Sequence, residues 1–156
     1  MKGAFAIEEK DFPEMTVLKV RAKDTVTAMG KYIGVVFRQA REKGLKPSGK
    51  LFSVYFEKPE GEKKIEYEMC LPVEGPPEEL DKLEEIGGDP CLCLRVKGSY
   101  SQFSSAYATL EAAAKEKGLE FAGPPREVYV KGPVLGFLTF IPTMVTDIYF
   151  PIRKGA

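Results

Sequence analysis

Residues 91–118 read CLCLRVKGSYSQFSSAYATLEAAAKEKG. From Cys91 to Lys97 the side chains alternate, with Leu92 and Leu94 on one side and Cys91, Cys93 and Arg95 on the other, the period of a strand with one buried face. Between Ser101 and Lys117 the period changes. Phe103, Ala106, Tyr107, Leu110 and Ala114 recur at steps of three and four, which lines one side of a helix, and Gly118 follows as its stop.

The same order stands earlier in the chain. Met15 to Ala22 alternates, with Leu18, Val20 and Ala22 on one face and Val17, Lys19 and Arg21 on the other. From Thr25 the apolar positions become Val26, Met29, Ile33, Val36, Phe37 and Ala40, a helix that ends at Arg41, Lys43 and Gly44; Gly30 inside it weakens the propensity. Each strand-helix pair precedes two further strands. In the first half these are Leu51 to Phe56 and Ile65 to Val73, joined across Glu57 to Lys64 by a turn marked by Pro59 and Gly61. In the second they are Arg126 to Val130 and Thr146 to Ile152. Matching fragments recur in order: Arg21-Ala22-Lys23 with Arg95-Val96-Lys97, Val54-Tyr55 with Val128-Tyr129, and Glu68-x3-Pro72-Val73 with Asp147-x3-Pro151-Ile152.

The expected fold is therefore α+β. It consists of two pseudo-twofold-related β-α-β-β modules with antiparallel sheets, helices on one side and a ligand cleft on the other. Within a single domain spanning 1–156, the first module covers about 14–74 and the second about 91–153. The connector 75–90 is rich in Pro, Gly and acids, with one short helix expected at Glu78 to Ile86. Superposing the halves puts Leu18, Val20, Val54, Phe56, Met69, Leu71 and Val73, with Leu92, Leu94, Val128, Val130, Ile148, Phe150 and Ile152, under the helices. The opposite face then carries Lys19, Arg21, Ser53, Tyr55, Glu66, Glu68 and Cys70, together with Cys91, Cys93, Arg95, Glu127, Tyr129, Asp147 and Tyr149.

Composition narrows the chemistry. The 156 residues hold 23 Lys+Arg against 23 Asp+Glu, no His, no Trp and three Cys. A balanced charge without a basic stripe argues against direct nucleic-acid binding, which draws its affinity from phosphate neutralisation. Without His there is no Ser-His-Asp or Cys-His catalysis and no HExxH zinc site. No apolar run reaches the ~20 residues that cross a bilayer, so no membrane association is expected. An odd number of thiols without framework spacing favours a reducing, cytoplasmic setting.

Glu127-Val128-Tyr129 is the leading candidate, because it places a carboxylate and a phenol two apart on one strand face, about 7 Å along it. A buried carboxylate beside an aromatic wall suits an organic cation. The alternative is a solvated Glu next to a half-exposed Tyr. Tyr55 and Tyr149 are further pocket candidates, whereas Tyr107 reads as core. Glu68 and Asp147 are repeat mates and read first as surface partners of Arg21 and Arg95. If Lys19, Arg21 or Arg95 paired with Glu127, the site would turn toward neutral or anionic ligands. Cys91-x-Cys93 with Cys70 makes a poor zinc set, so no metal and no cofactor is expected; Arg95 on the same face is positioned to lower a thiol pKa. Lys131 to Thr143 reads as an extra strand or an apolar lid.

Taken together, Gly98-Ser99-Tyr100 before a helix, Gly123-Pro124-Pro125-Arg126-Glu127-Val128-Tyr129, Glu68-x3-Pro72-Val73, and Val145-Thr146-Asp147-Ile148 before Pro151-Ile152 resemble the gyrase-inhibitor-like (GyrI-like) small-molecule-binding family. That family includes effector-binding domains of multidrug-sensing transcriptional activators. The resemblance implies a cleft for aromatic or cationic compounds with Glu127 at its bottom and Glu68 and Asp147 at the positions of further acids; the reading of the residues adds Tyr55, Tyr100, Tyr129 and Tyr149 as walls. Asp147 stands where relatives carry the longer Glu. The chain then reads as a stand-alone small-molecule-binding protein, with a separate protein partner possible. The alternatives are a hydrolase of strained cyclopropane-type xenobiotics that uses a pocket Glu and Tyr, or a protein-binding inhibitor of a topoisomerase.

Overall fold

A computed structural model of the chain describes residues 5–98, 100–131 and 144–155. In chain order its elements are β1 (Glu8–Asp11), β2 (Met15–Asp24), α1 (Met29–Glu42), β3 (Lys46–Pro47), β4 (Phe52–Tyr55), β5 (Ile65–Glu74), α2 (Pro77–Leu80), β6 (Glu84–Ile86), β7 (Pro90–Lys97), α3 (Phe103–Glu116), β8 (Leu119–Phe121), β9 (Arg126–Lys131) and β10 (Val145–Lys154). Two compact units result, one formed by Pro13–Gly87 and the other by Met1–Phe12 with Gly88–Ala156.

In the Pro13–Gly87 unit, β5 pairs antiparallel with β4 on one side and β2 on the other, and β2 also pairs with β6. In the other unit β10 lies between β7 and β9, β1 pairs with β7, and β8 pairs with the end of β10, again all antiparallel. The duplicated order is thus β2-α1-β4-β5 and β7-α3-β9-β10, as the repeated fragments predict. Even the cross-strand rows repeat. Arg21, Glu68 and Val54 stand opposite one another, as do Arg95, Asp147 and Val128.

Each helix covers one sheet face because its inward positions are small or apolar. Ala106, Leu110 and Ala114 of α3 pack on Leu92, Leu94, Val96, Ile148 and Ile152. The two Ala positions bring helix and sheet close, and Leu110 is fully removed from water; burying one such Leu contributes roughly 1.5–3 kcal/mol. Met29, Val36 and Ala40 form the equivalent inward stripe of α1.

Some expectations need correction. Residues 78–86 do not form one helix; α2 is a single turn, and Glu84–Ile86 extends along β2 as β6. A run of acids carries no strand signal, and β2 supplies the backbone partners. The rest of the apolar stretch, 132–143, lies outside the described residues.

The larger correction concerns β4 and β9, whose faces are reversed. Residues opposite one another in a ladder share a face. Tyr55 stands opposite Tyr67 and Ser53 opposite Met69, so both lie on the α1 side, while Val54 shares the outer face with Glu68. Likewise Glu127 stands opposite Ile148 and Tyr129 opposite Thr146, on the α3 side, while Val128 faces outward with Asp147. Phe56 confirms the shift: it is 39% exposed and lies outside, under the Arg21 guanidinium at 3.9 Å from its ring centre. All four residues of β4 are buried, so alternation within it cannot tell inside from outside.

Candidate functional site

Glu127 is 3% exposed, and it shares the α3 side of the sheet with Leu92, Leu94, Ile148 and Thr146. An ionised carboxylate in such a place is costly unless hydrogen-bonded. The Tyr107 hydroxyl, reaching down from α3, donates to Glu127 Oε2 at 2.8 Å. Burial, and then the negative charge of Glu127, hold the Tyr107 phenol well above its usual pKa, so it stays a neutral donor. Two residues along β9, Tyr129 is 2% exposed on the same face. The Tyr107 ring meets Phe150 edge-on at 6.1 Å, which orients the phenol toward β9. A carboxylate, a phenolic donor and aromatic surface are thereby gathered on the helix-bearing side.

Tyr107 is the residue that sequence reading missed as part of the site. Its helical spacing is that of core, and its ring packs partly buried against the α3 cluster; the available signal was a hydroxyl at an inward position, which must find a partner when buried.

Tyr149 lies on the outer face of its unit, with its ring edge-on to Phe12 at 4.9 Å and the Lys10 ammonium 5.7 Å from its centre. Asp147 is held by Arg95, whose Nε and Nη2 donate to its two oxygens at 2.7 and 3.0 Å. Glu68 is paired with Lys19 at 3.3 Å and Arg21 at 3.4 Å. These acids are ion-pair partners, and Lys19, Arg21 and Arg95 are engaged on faces opposite to the helices. Tyr55 lies on the α1 side, 6.1 Å from the Tyr67 ring, which itself meets Tyr32 of α1 at 6.0 Å. Tyr100 opens a 3-10 turn before α3, and its side chain lies outside the described residues. Burial pushes the Cys91 thiol up to about 12 and Cys93 up to about 11, so the expected lowering by Arg95 does not occur. Among the described residues no group of three His, Cys, Asp or Glu side chains is placed to hold a metal.

Residues 5–153 match the GyrI-like small molecule binding domain. The chain belongs to this family. Among solved structures, this GyrI-like chain is similar to the C-terminal domain of EcmrR, with a TM-score of 0.77, 21% identity, and coverage of 96% of this chain and 98% of that one. Of the EcmrR chain in its DNA complex, it spans 58%. A hydrolase from Listeria innocua is similar at a TM-score of 0.62 and 14% identity, with 94% and 91% covered. SAV2435, in a structure bound to tetraphenylphosphonium, is similar at 0.51 and 12% identity, with 97% and 94% covered. At these identities the likeness is one of fold. No curated protein sequence matches the chain.

Proposed function

We propose that this GyrI-like domain binds a flat or propeller-shaped organic cation, with Glu127 as the counter-charge and Tyr129 and Tyr107 as aromatic contacts. The observation that carries this reading is the Glu127 carboxylate, 3% exposed and held by the Tyr107 hydroxyl on the face covered by α3. A delocalised cation gains from such a site because it is weakly hydrated, while the pre-oriented carboxylate has already been desolvated in the fold. Aromatic rings beside it add cation–π attraction. The EcmrR likeness supports a sensory role, and the tetraphenylphosphonium in SAV2435 supports a cationic ligand class. Three buried thiols fit a cytoplasmic setting.

The test uses tetraphenylphosphonium and the uncharged triphenylphosphine oxide as probes, followed by calorimetry. Glu127→Gln keeps shape and removes charge, so phosphonium affinity should fall about ten- to hundredfold, ~1.5–3 kcal/mol. Affinity for the oxide should stay within about twofold. Unchanged phosphonium binding in the variant would overturn the reading; intact binding with lost turnover of a strained electrophile would favour the hydrolase instead.

A further inference from the structure

Neighbouring residues on a strand point to opposite faces, so whatever anchors Arg126 behind the sheet also decides where Glu127 points. Arg126 is anchored unusually well. Its Nη1 and Nη2 donate to the two oxygens of Asp89 at 2.9 and 2.8 Å, a two-pronged charge-assisted contact. The guanidinium also lies 4.6 Å from the centre of the Phe12 ring. Phe12 is 1% exposed and meets Tyr149, the residue directly opposite Arg126 on β10. Backbone bonds tie the same segments together: Phe12 N–H donates to Asp89 C=O at 3.0 Å, and Gly88 N–H to Phe12 C=O at 2.7 Å.

We propose that Arg126 is a positioning residue for Glu127: its fork onto Asp89, over Phe12, sets the register of β9 and so keeps the carboxylate on the α3 side. The proposal rests on reading Glu127 as the ligand's counter-charge. Six-residue β9 pairs with β10 through a ladder whose register shifts between Val145 and Thr146. A one-residue slip in such a strand exchanges its two faces. It would carry Glu127 to the outer face and drive the Arg126 guanidinium among Leu94, Ile148 and Leu110. The Asp89 fork forms only in the observed register, so it selects that register against the slipped one.

The experiment pairs Arg126→Gln with Asp89→Asn, which breaks the same contact from the side remote from β9. Each is read by tetraphenylphosphonium and triphenylphosphine oxide affinity and by the 13Cζ NMR resonance of Tyr107 in tyrosine-labelled protein. Both variants should weaken phosphonium binding at least tenfold and the oxide, which loses only the Tyr129 wall, by less; in the Glu127→Gln background the phosphonium loss should shrink to that of the oxide. The Tyr107 resonance should move toward its position in Glu127→Gln. An unmoved resonance with unchanged phosphonium affinity overturns the proposal. So does an equal loss for both probes, or a phosphonium loss that persists undiminished in the Glu127→Gln background, since either marks a merely structural role. If Glu127→Gln itself leaves phosphonium binding unchanged while the Tyr107 resonance still moves in Arg126→Gln, positioning stands and the cation reading falls. Should Arg126→Gln fail to fold, Asp89→Asn decides alone.

Discussion

The hydroxyl of Tyr107 donates to the carboxylate of Glu127 at 2.8 Å, joining the inward face of α3 to β9 across an apolar layer. The contact gives a buried phenol its acceptor and orients the acid.

Tyr107→Phe should destabilise the fold by about 1–3 kcal/mol, because a charged acceptor loses a buried donor. Combined with Glu127→Gln, the two losses should be non-additive by roughly 0.5–3 kcal/mol. Urea unfolding of the four proteins in this cycle measures the coupling. A sum equal to the double variant would show that the charged contact has no net worth.

Acid should release the Asp89 clamp. The Arg126 guanidinium holds the Asp89 carboxyl below its ordinary value of 3.8. A folded-state pKa below the unfolded one contributes stability that is full above the unfolded value and lost as pH falls through the lowered one. The stability difference between parent and Asp89→Asn should therefore be steady at neutral pH and shrink below about pH 4. Urea midpoints at pH 7, 4 and 3 check this, and a difference that grows in acid would contradict it.

Two glycines should respond in opposite ways to Ala. Gly87 has φ +106°, and a Cβ there would lie 2.0 Å from the Pro13 carbonyl oxygen, so backbone must move. Gly87→Ala should cost on the order of 3 kcal/mol or more. Gly34 lies within α1, and a Cβ there meets nothing within 4 Å. Gly34→Ala should stabilise by about 0.5–1 kcal/mol through helix propensity. Thermal melts of both variants would show it.

Much of this architecture is legible in the order of residues. The switch from alternation in Cys91–Lys97 to helical spacing in Ser101–Lys117, and its echo in Met15–Lys43, follows from local periodicity, and matching fragments expose the duplication. The short strands at the margins escape that reading. Glu8–Asp11 is exposed at every residue, and Glu84–Ile86 is mostly acidic, so neither has an apolar alternation to read. They are strands because β7 and β2 offer them backbone partners.

For the candidate site, residue order alone puts Glu127 and Tyr129 on one face of a strand and Arg126 and Val128 on the other, because a period of two follows from backbone geometry. Which face meets the helix was decided only in the tertiary structure, by the pairing of Glu127 with Ile148 and of Tyr55 with Tyr67. Hydrophobicity points the wrong way there. It favours Val128 inside and Glu127 outside, since a local rule weighs each side chain against water. The folded chain weighs Glu127 instead against the Tyr107 hydroxyl, supplied from 20 residues away by a helix that forms on its own terms.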